Sequence, residues 1–425
     1  MNNFQSKTEL FKQNDVYLVK LNLPAFCVKK ILRTYRFELY PNQEQRVLLS
    51  KHFGCVRYVY NHFLQARKKQ YEVHGKSDNY HAQARALTQL KKQEETNWLR
   101  EVNSQSLQYA LQCLETAYQN CFRGQARLSR FKSKRHKNAF RAPQSVSLAG
   151  NRLHIPKFKT GLKVKLHRPV GGQIRHCTIS QTTSGKYFVS LLCEQLYQPG
   201  KKTGASCGID LGLKDLATTS AGTKFKNNRY TKKYAWVLKR AQQHLSRKTK
   251  GSRSFERQRR KVARLHDKIS NSRMDHLHKV SHGLIAQYDV ICLEDLHVKG
   301  MVKNRKLSKS ISDASWGTFV RLLEYKADWN DKTVVKIPRW YPSSKTCHVC
   351  EWIKQDLDLS MRNWTCGNGH HLDRDINAAI NIQREGQKIH SAGTVENTGG
   401  ETVRPQPRLG QVSVKPEAHQ SLADG

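Results

Sequence analysis

The chain has 425 residues, with 75 Lys and Arg against 33 Asp and Glu, a formal net charge of +42 and 37% hydrophobic content. That length allows roughly two to four domains, and so large a positive excess repels itself unless a polyanion neutralises it, which points to nucleic acid. No apolar run approaches the ~20 residues that cross a bilayer. The first residues carry scattered charge without a continuous apolar stretch, so no signal peptide is expected, and the 11 cysteines are expected to be reduced in the cytosol.

Residues 1–28 show no clear periodicity. "KILRTYRFELYPN" predicts a strand ending at Pro41 and Asn42, which suit a turn and a helix start. From Gln43 to about Tyr71 the pattern is helical, with Val56, Tyr60 and Phe63 on one face and Gly75 as the stop. A stronger helix carries Leu107, Leu111, Leu114, Tyr118 and Phe122 at helical spacing before Gly124. The basic stretch "RLSRFKSKRHKNAFR" interleaves Phe131 and Phe140 with cations, suited to base stacking or to anchoring in a core. From about Ser145 the period becomes two, predicting a small antiparallel β unit with a hairpin turn at Ser184 and Gly185.

A third region opens at "CGIDLGLKDLATTSAGTKF", where the strand of Asp210 is expected to pair with the next one through "TTSAGTK". Residues 232–286 predict long basic helices. Between Lys232 and Arg273 stand 15 Lys and Arg against two acids, a density that suits tracking a phosphate backbone. "YDVICLEDL" predicts a short buried strand, Ser315 to Trp329 a helix and "TVVKIPRWY" a further strand. The last stretch is rich in Gly, Ser, Pro and Thr and is expected to be disordered. Eight cysteines, Cys193 among them, are expected to be single buried thiols.

Three acids stand out. Asp210 lies inside an apolar strand, where an unpaired charge costs several kcal/mol or takes up a proton. Glu294 follows the apolar run from Val290 to Leu293, and Asp375 opens "DINAAINI", whose Ala378 and Ala379 allow a helix to lie close on a sheet. Alone, Asp375 also fits a helix N-cap, and Glu294 a strand end at the surface. Together they suit Mg²⁺, and two such ions about 4 Å apart can activate water against a phosphodiester. A shared cation also removes the cost of burying Asp210.

Cys347 and Cys350, followed by Cys366, have zinc-ribbon spacing. Gly369 stands where a fourth cysteine is expected, and His370 and His371 follow at once. Zinc accepts Cys₃His sites. His370 is therefore the expected fourth ligand, with His371 as the alternate and His348 as a bystander, in a site that is structural.

"GIDLGLKDLA", "ICLEDL" and "LDRDINAAINI" resemble the three segments of a RuvC-like nuclease of the RNase H fold. With "ISDASWGTFVRLLEYKA" and "YPSSKTCHVC" they resemble the TnpB family, transposon-encoded RNA-guided DNA endonucleases related to miniature type V CRISPR effectors. The resemblance covers about residues 30–385. It implies a multidomain α+β protein: an RNase H-like (RuvC) α/β nuclease domain with an inserted zinc ribbon, plus a small β-barrel wedge domain carrying a helical recognition insertion. The implied boundaries are 1–28 for an N-terminal extension, 29–42 and 141–203 for the wedge, 43–140 for the recognition helices, 204–342 and 371–385 for the nuclease, 343–370 for the zinc insertion and 386–425 for the tail.

The resemblance implies Asp210, Glu294 and Asp375 as catalytic acids holding two Mg²⁺, and it alone selects them over the neighbouring Asp295 and Asp373. It also implies a guide RNA from the transposon end, a double-stranded DNA target read by base pairing beside a short flanking motif, and a monomer at the prokaryotic nucleoid. Two alternatives use the same architecture: a strand-transferring transposase, and a non-cleaving RNA-guided DNA-binding protein. The first would join cleaved ends to new DNA, and the second would lack one of the acids.

Overall fold

The computed structural model describes residues 10–13, 16–19, 26–134, 138–358 and 360–395. They form two units that interleave along the chain, the first taking the described residues up to 203 with 228–287 and 298–332, the second 204–227, 288–297 and the described residues from 333 on. Among the described residues no helix is long and apolar enough to cross a membrane.

The first unit holds a nine-stranded antiparallel sheet, larger than the small β unit expected. Its strands are β1 (Leu10–Gln13), β2 (Val16–Val19), β3 (Phe26–Tyr40), β4 (Asn138–Ala142), β5 (Ser147–Ala149), β6 (Arg152–His154), β7 (Leu162–Lys165), β8 (Gln173–Gln181) and β9 (Tyr187–Tyr197). The main path runs β4-β8-β9-β3-β7-β6-β5, with β1 and β2 joined through β3. Thus part of the featureless stretch 1–28 is strand, and the rest of it lies outside the described residues. β3 alternates as a half-buried strand must: Ile31, Tyr35, Phe37 and Leu39 are buried, while Leu32, Thr34 and Arg36 face out. Gly185, at φ 88, turns β8 into β9 as expected.

Three helices share a core with this sheet: α1 (Gln43–His74), α2 (Tyr80–Leu90) and α3 (Ser104–Phe122), with a 3₁₀ turn at Glu94–Glu101. Asn42 and Gln45 form a reciprocal cap at the start of α1, and Gly75 ends it at φ 64. Leu107, Leu111, Leu114 and Tyr118 are buried along α3, but Phe122, in the last turn and against the Tyr118 ring, is 77% exposed. The two phenylalanines of the basic stretch part company. Phe140 is a core residue stacked on His52, and Phe131 is half-exposed beneath the Lys68 ammonium.

The remaining helices of this unit are α4 (Tyr230–Lys233), α5 (Ala235–Ser246), α6 (Arg253–Gln287), α7 (Val298–Met301), α8 (Ser308–Ala314) and α9 (Trp316–Trp329). They fall within 204–342, the span expected for the nuclease. α6 runs for 35 residues, packs on α9, buries Leu277 and Leu284 while α9 buries Phe319 and Leu323, and leaves Arg253, Arg257, Arg260, Lys261 and Arg264 exposed. Arg273 and the backbone N–H of Thr231 both donate to the buried Asp313, tying α6, α4 and α8 together.

The second unit is built on a five-stranded sheet in the order β12-β11-β10-β13-β14. Its strands are β10 (Ser206–Asp210), β11 (Asp215–Thr219), β12 (Lys224–Lys226), β13 (Val290–Glu294) and β14 (Thr333–Ile337). β10, β13 and β14 are parallel; β11 and β12 are antiparallel additions. "TTSAGTK" is a hairpin, but it joins β11 to β12, since the turn after Asp210 already reverses the chain into β11. β14 stops at Ile337, where Pro338 removes a ladder donor.

A two-stranded ribbon, β15 (Asn363–Thr365) with β16 (His371–Asp373), leads into α10 (Arg374–Val395). The expected disordered tail is therefore corrected over 386–395, which continue this helix, and 396–425 lie outside the described residues. Of the eight cysteines expected as buried thiols, Cys55, Cys177, Cys193, Cys207 and Cys292 are buried. Cys113 and Cys121 are only partly buried, a correction, Cys113 packing at the edge of the core, and the side chain of Cys27 is outside the described part.

Candidate metal-binding active site

The register of β10 on β13 sets Ile209 beside Leu293, so Asp210 and Glu294 follow side by side at the carboxyl ends of adjacent parallel strands. Neighbouring strands lie about 4.8 Å apart. The facing direction is fixed by α10. A Cβ on Gly208 would come 2.0 Å from the backbone oxygen of Ala379, so the helix lies directly on β10 there. The Gly386 position of the helix meets the side chain of Cys292 in the same way. Gly208 and Cys292 face α10, and residues two further along a strand share that face. Asp210 and Glu294 therefore point to the side on which the helix begins, and Asp375 lies in its first turn, one helical turn before Ala379.

The electrostatics of this cluster follow from its burial. Burial and the charges of Glu294 and Asp375 push the Asp210 carboxyl up to about 7, against the pull of Arg374 and Arg362. Burial also raises Glu294, although a hydrogen bond from the Ser343 hydroxyl opposes the rise. Arg362 pairs with Asp375 at 3.2 Å. The neighbouring acids have other work. The Asp373 carboxylate accepts the N–H groups of Asp375 and Ile376 at 3.0 and 3.1 Å, so the N-cap of α10 is Asp373 and not Asp375. Burial pushes Asp373 up, but Lys224 at 2.6 Å and those amides hold it below its ordinary value. Asp295, just past the end of β13, is exposed and paired with Arg339 at 2.8 Å.

Cys347, Cys350, Cys366 and His370 form the second cluster, their ligand atoms all within 4.8 Å of one another. The sulfurs of Cys350 and Cys366 are 3.7 Å apart, and His370 Nδ1 lies 3.9 Å from Cys347 Sγ. A tetrahedral centre with Zn–S bonds of about 2.3 Å sets sulfurs about 3.8 Å apart, so the donors fit zinc. Gly369 at φ 84 makes the turn that swings His370 inward. The exposed His371 is paired with the Thr365 hydroxyl instead, and His348 with Asn377. Hydrogen bonds from Asn377 and Asn381 of α10 to the Thr346 oxygen hold the base of this ribbon.

Sequence reading did not mark Ser343, Arg362, Arg374, Lys224 or Arg339. Ser343 lies in the quoted "YPSSKTC" and could have been flagged by its place before the zinc ligands. The cations reach their acids across long sequence separations, for which the chain carries no local signal.

Family profiles match residues 178–305 ("Probable transposase"), 316–382 ("Cas12f1-like, TNB domain") and 31–76 ("Helix-turn-helix domain"). The last stretch is one strand and one helix in this structure. A Streptomyces pristinaespiralis protein named "Putative RNA-guided DNA endonuclease" is 38% identical over 403 residues, covering 93% of this chain and 98% of the relative. The Escherichia coli K12 protein named "Putative RNA-guided DNA endonuclease InsQ" is 33% identical, covering 87% and 96%. A solved Cas12f1–sgRNA–target DNA complex is a distant likeness, with a TM-score of 0.46 and 10% identity over 83% of this chain and 99% of that one.

Proposed function

The chain belongs to the TnpB family of transposon-encoded RNA-guided DNA endonucleases, and from that premise we propose that it cleaves double-stranded DNA complementary to a bound guide RNA, beside a short flanking motif. The observation that carries this reading is the placement of Asp210 and Glu294 on one face at adjacent parallel strand ends, where the helix bearing Asp375 begins. The sheet order, with two antiparallel strands added to three parallel ones, supports an RNase H-like, RuvC-type nuclease domain. In the same reading the nine-stranded sheet is the wedge and α1 to α3 are the recognition lobe. The protein acts as a monomer in the prokaryotic cytoplasm.

Asp210, Glu294 and Asp375 would hold Mg²⁺, and the donors fit: clustered carboxylate oxygens suit this ion, and the raised Asp210 carboxyl marks a site short of positive charge. When bound, the ions supply water activation and stabilise charge on the scissile phosphodiester. Ser343 fixes the Glu294 carboxylate by hydrogen bonding, and Arg362 does the same for Asp375. Arg374 adds positive potential beside Asp210. Cys347, Cys350, Cys366 and His370 would hold Zn²⁺ as a closed structural site, bracing the loop before Asp375. The exposed cations of α6 track a phosphate backbone, while base pairing reads the sequence.

The test begins by sequencing the RNA that copurifies with the protein and supplying a matching DNA duplex with Mg²⁺. Asp210→Ala is expected to abolish cleavage and leave RNA binding intact. Cleavage retained by that variant refutes the assignment.

A further inference from the structure

Trp340 is the most exposed of the large hydrophobic side chains among the described residues, at 89%. A tryptophan left in water forgoes the burial that makes this residue stabilising, and its position gives the reason. The loop Pro338–Pro342 leaves β14 at Ile337, which is in register with Glu294. One side of the loop is pinned to the residue after Glu294: Arg339 donates to the backbone oxygen of Asp295 at 3.0 Å and to its carboxylate at 2.8 Å. The other side is pinned to Glu294 itself by the Ser343 hydroxyl. Two prolines and a hydrogen bond from the Tyr341 N–H to the Pro338 oxygen at 3.2 Å stiffen the span between them. Trp340 is thus held between two anchors on the strand end that carries a catalytic acid. Its Cα lies no more than about 11 Å along the chain from that of Ile337.

We propose that Trp340 forms a nucleobase subsite: its indole stacks on an unpaired base of the strand being cut and sets the scissile phosphate over Asp210, Glu294 and Asp375. The chemistry favours this ligand. An exposed indole on a rigid loop offers an apolar plane to a planar partner, and aromatic–base stacking tolerates any sequence, as guided cleavage requires. Every base has a π-face, and Arg362 beside Asp375 and Arg374 beside Asp210 suit the phosphate brought to those acids. Trp340 is a positioning residue, because it touches the substrate away from the reacting atoms. This inference rests on the nuclease reading above.

The test uses the guide-loaded protein and a matched DNA target with Mg²⁺. Because the side chain is open to solvent, Trp340→Ala is expected to leave the unfolding temperature and guide RNA binding unchanged. The cleavage rate at saturating protein should fall by roughly fivefold to a hundredfold, the range for loss of one stacked base. Trp340→Phe should restore most of it. A series of targets, each with one abasic position, separates stacking from a structural role. The parent protein should slow at one position within a few nucleotides of the cut, and Trp340→Ala should show no further slowing there. Parental cleavage by Trp340→Ala, or equal slowing by it on every abasic target, overturns the subsite while leaving the nuclease reading in place. Failure of the parent protein to cleave at all overturns both.

Discussion

Replacing Asp210 by Asn should stabilise the protein in the absence of Mg²⁺ while destroying its activity. Asp210 titrates near 3.8 in open solution and at about 7 in the fold. The folded state therefore binds this proton more tightly, and stability falls as pH rises through that window. The penalty is absent well below pH 4 and complete above about pH 7. Three units at 1.36 kcal/mol each make about 4 kcal/mol, and at pH 5 the same linkage leaves about 2 kcal/mol. Asn carries no charge, so the variant should gain about 4 kcal/mol over the parent at pH 8 and about half of that at pH 5. Amide hydrogen exchange of β10 and β13, corrected for intrinsic rates, reads this locally, and Mg²⁺-free buffer without chelator preserves zinc. Saturating Mg²⁺ should protect the parent and leave Asp210→Asn unmoved. Equal protection of the two proteins at pH 8, or a difference that ignores pH, would refute the reasoning.

Ser343→Ala removes the hydrogen bond to Glu294 and should slow guided cleavage by roughly tenfold to a hundredfold, as for the loss of a hydrogen bond to a charged group; unchanged single-turnover rates would count against it. Cys366→Ser should take zinc, measured by elemental analysis, from one per chain to near zero while guide RNA still copurifies. Gly208→Ala drives a methyl group to 2.0 Å from the Ala379 oxygen; it should cost about 1–3 kcal/mol or more, read by denaturant unfolding, and lower cleavage as α10 is displaced.

The strand carrying Asp210 is legible because an acid between Ile209 and Leu211 breaks an apolar run, and the Cys₃His cluster because cysteine spacing is a local quantity. Which of Glu294 and Asp295 shares the face of Cys292 is not local. It depends on which face of β13 meets α10, and Gly386 meets Cys292 there. The fate of Phe131 and Phe140 is hidden for the same reason: both sit among cations, and only the pairing of β4 with β8 carries Phe140 into the core. The composition of the last residues suggests disorder from 386, yet Gly386 lets α10 pack on Cys292, and the helix continues. The hairpin "TTSAGTK" shows the limit of turn signals, which reveal a reversal without saying which strands it joins.

The seating of α10 bears on ion discrimination. A helix touching its sheet backbone to backbone at Gly208, and pressed on Cys292 at Gly386, behaves as a beam and not as a hinge. A carboxylate carried on such a beam has little latitude to retreat from a larger cation or to rotate into bidentate contact. Mg²⁺ demands near-ideal octahedral geometry, whereas Ca²⁺ relies on ligands that yield. In the proposed Mg²⁺ site calcium should consequently support little or no turnover, a preference that would trace to two glycines away from the three carboxylates.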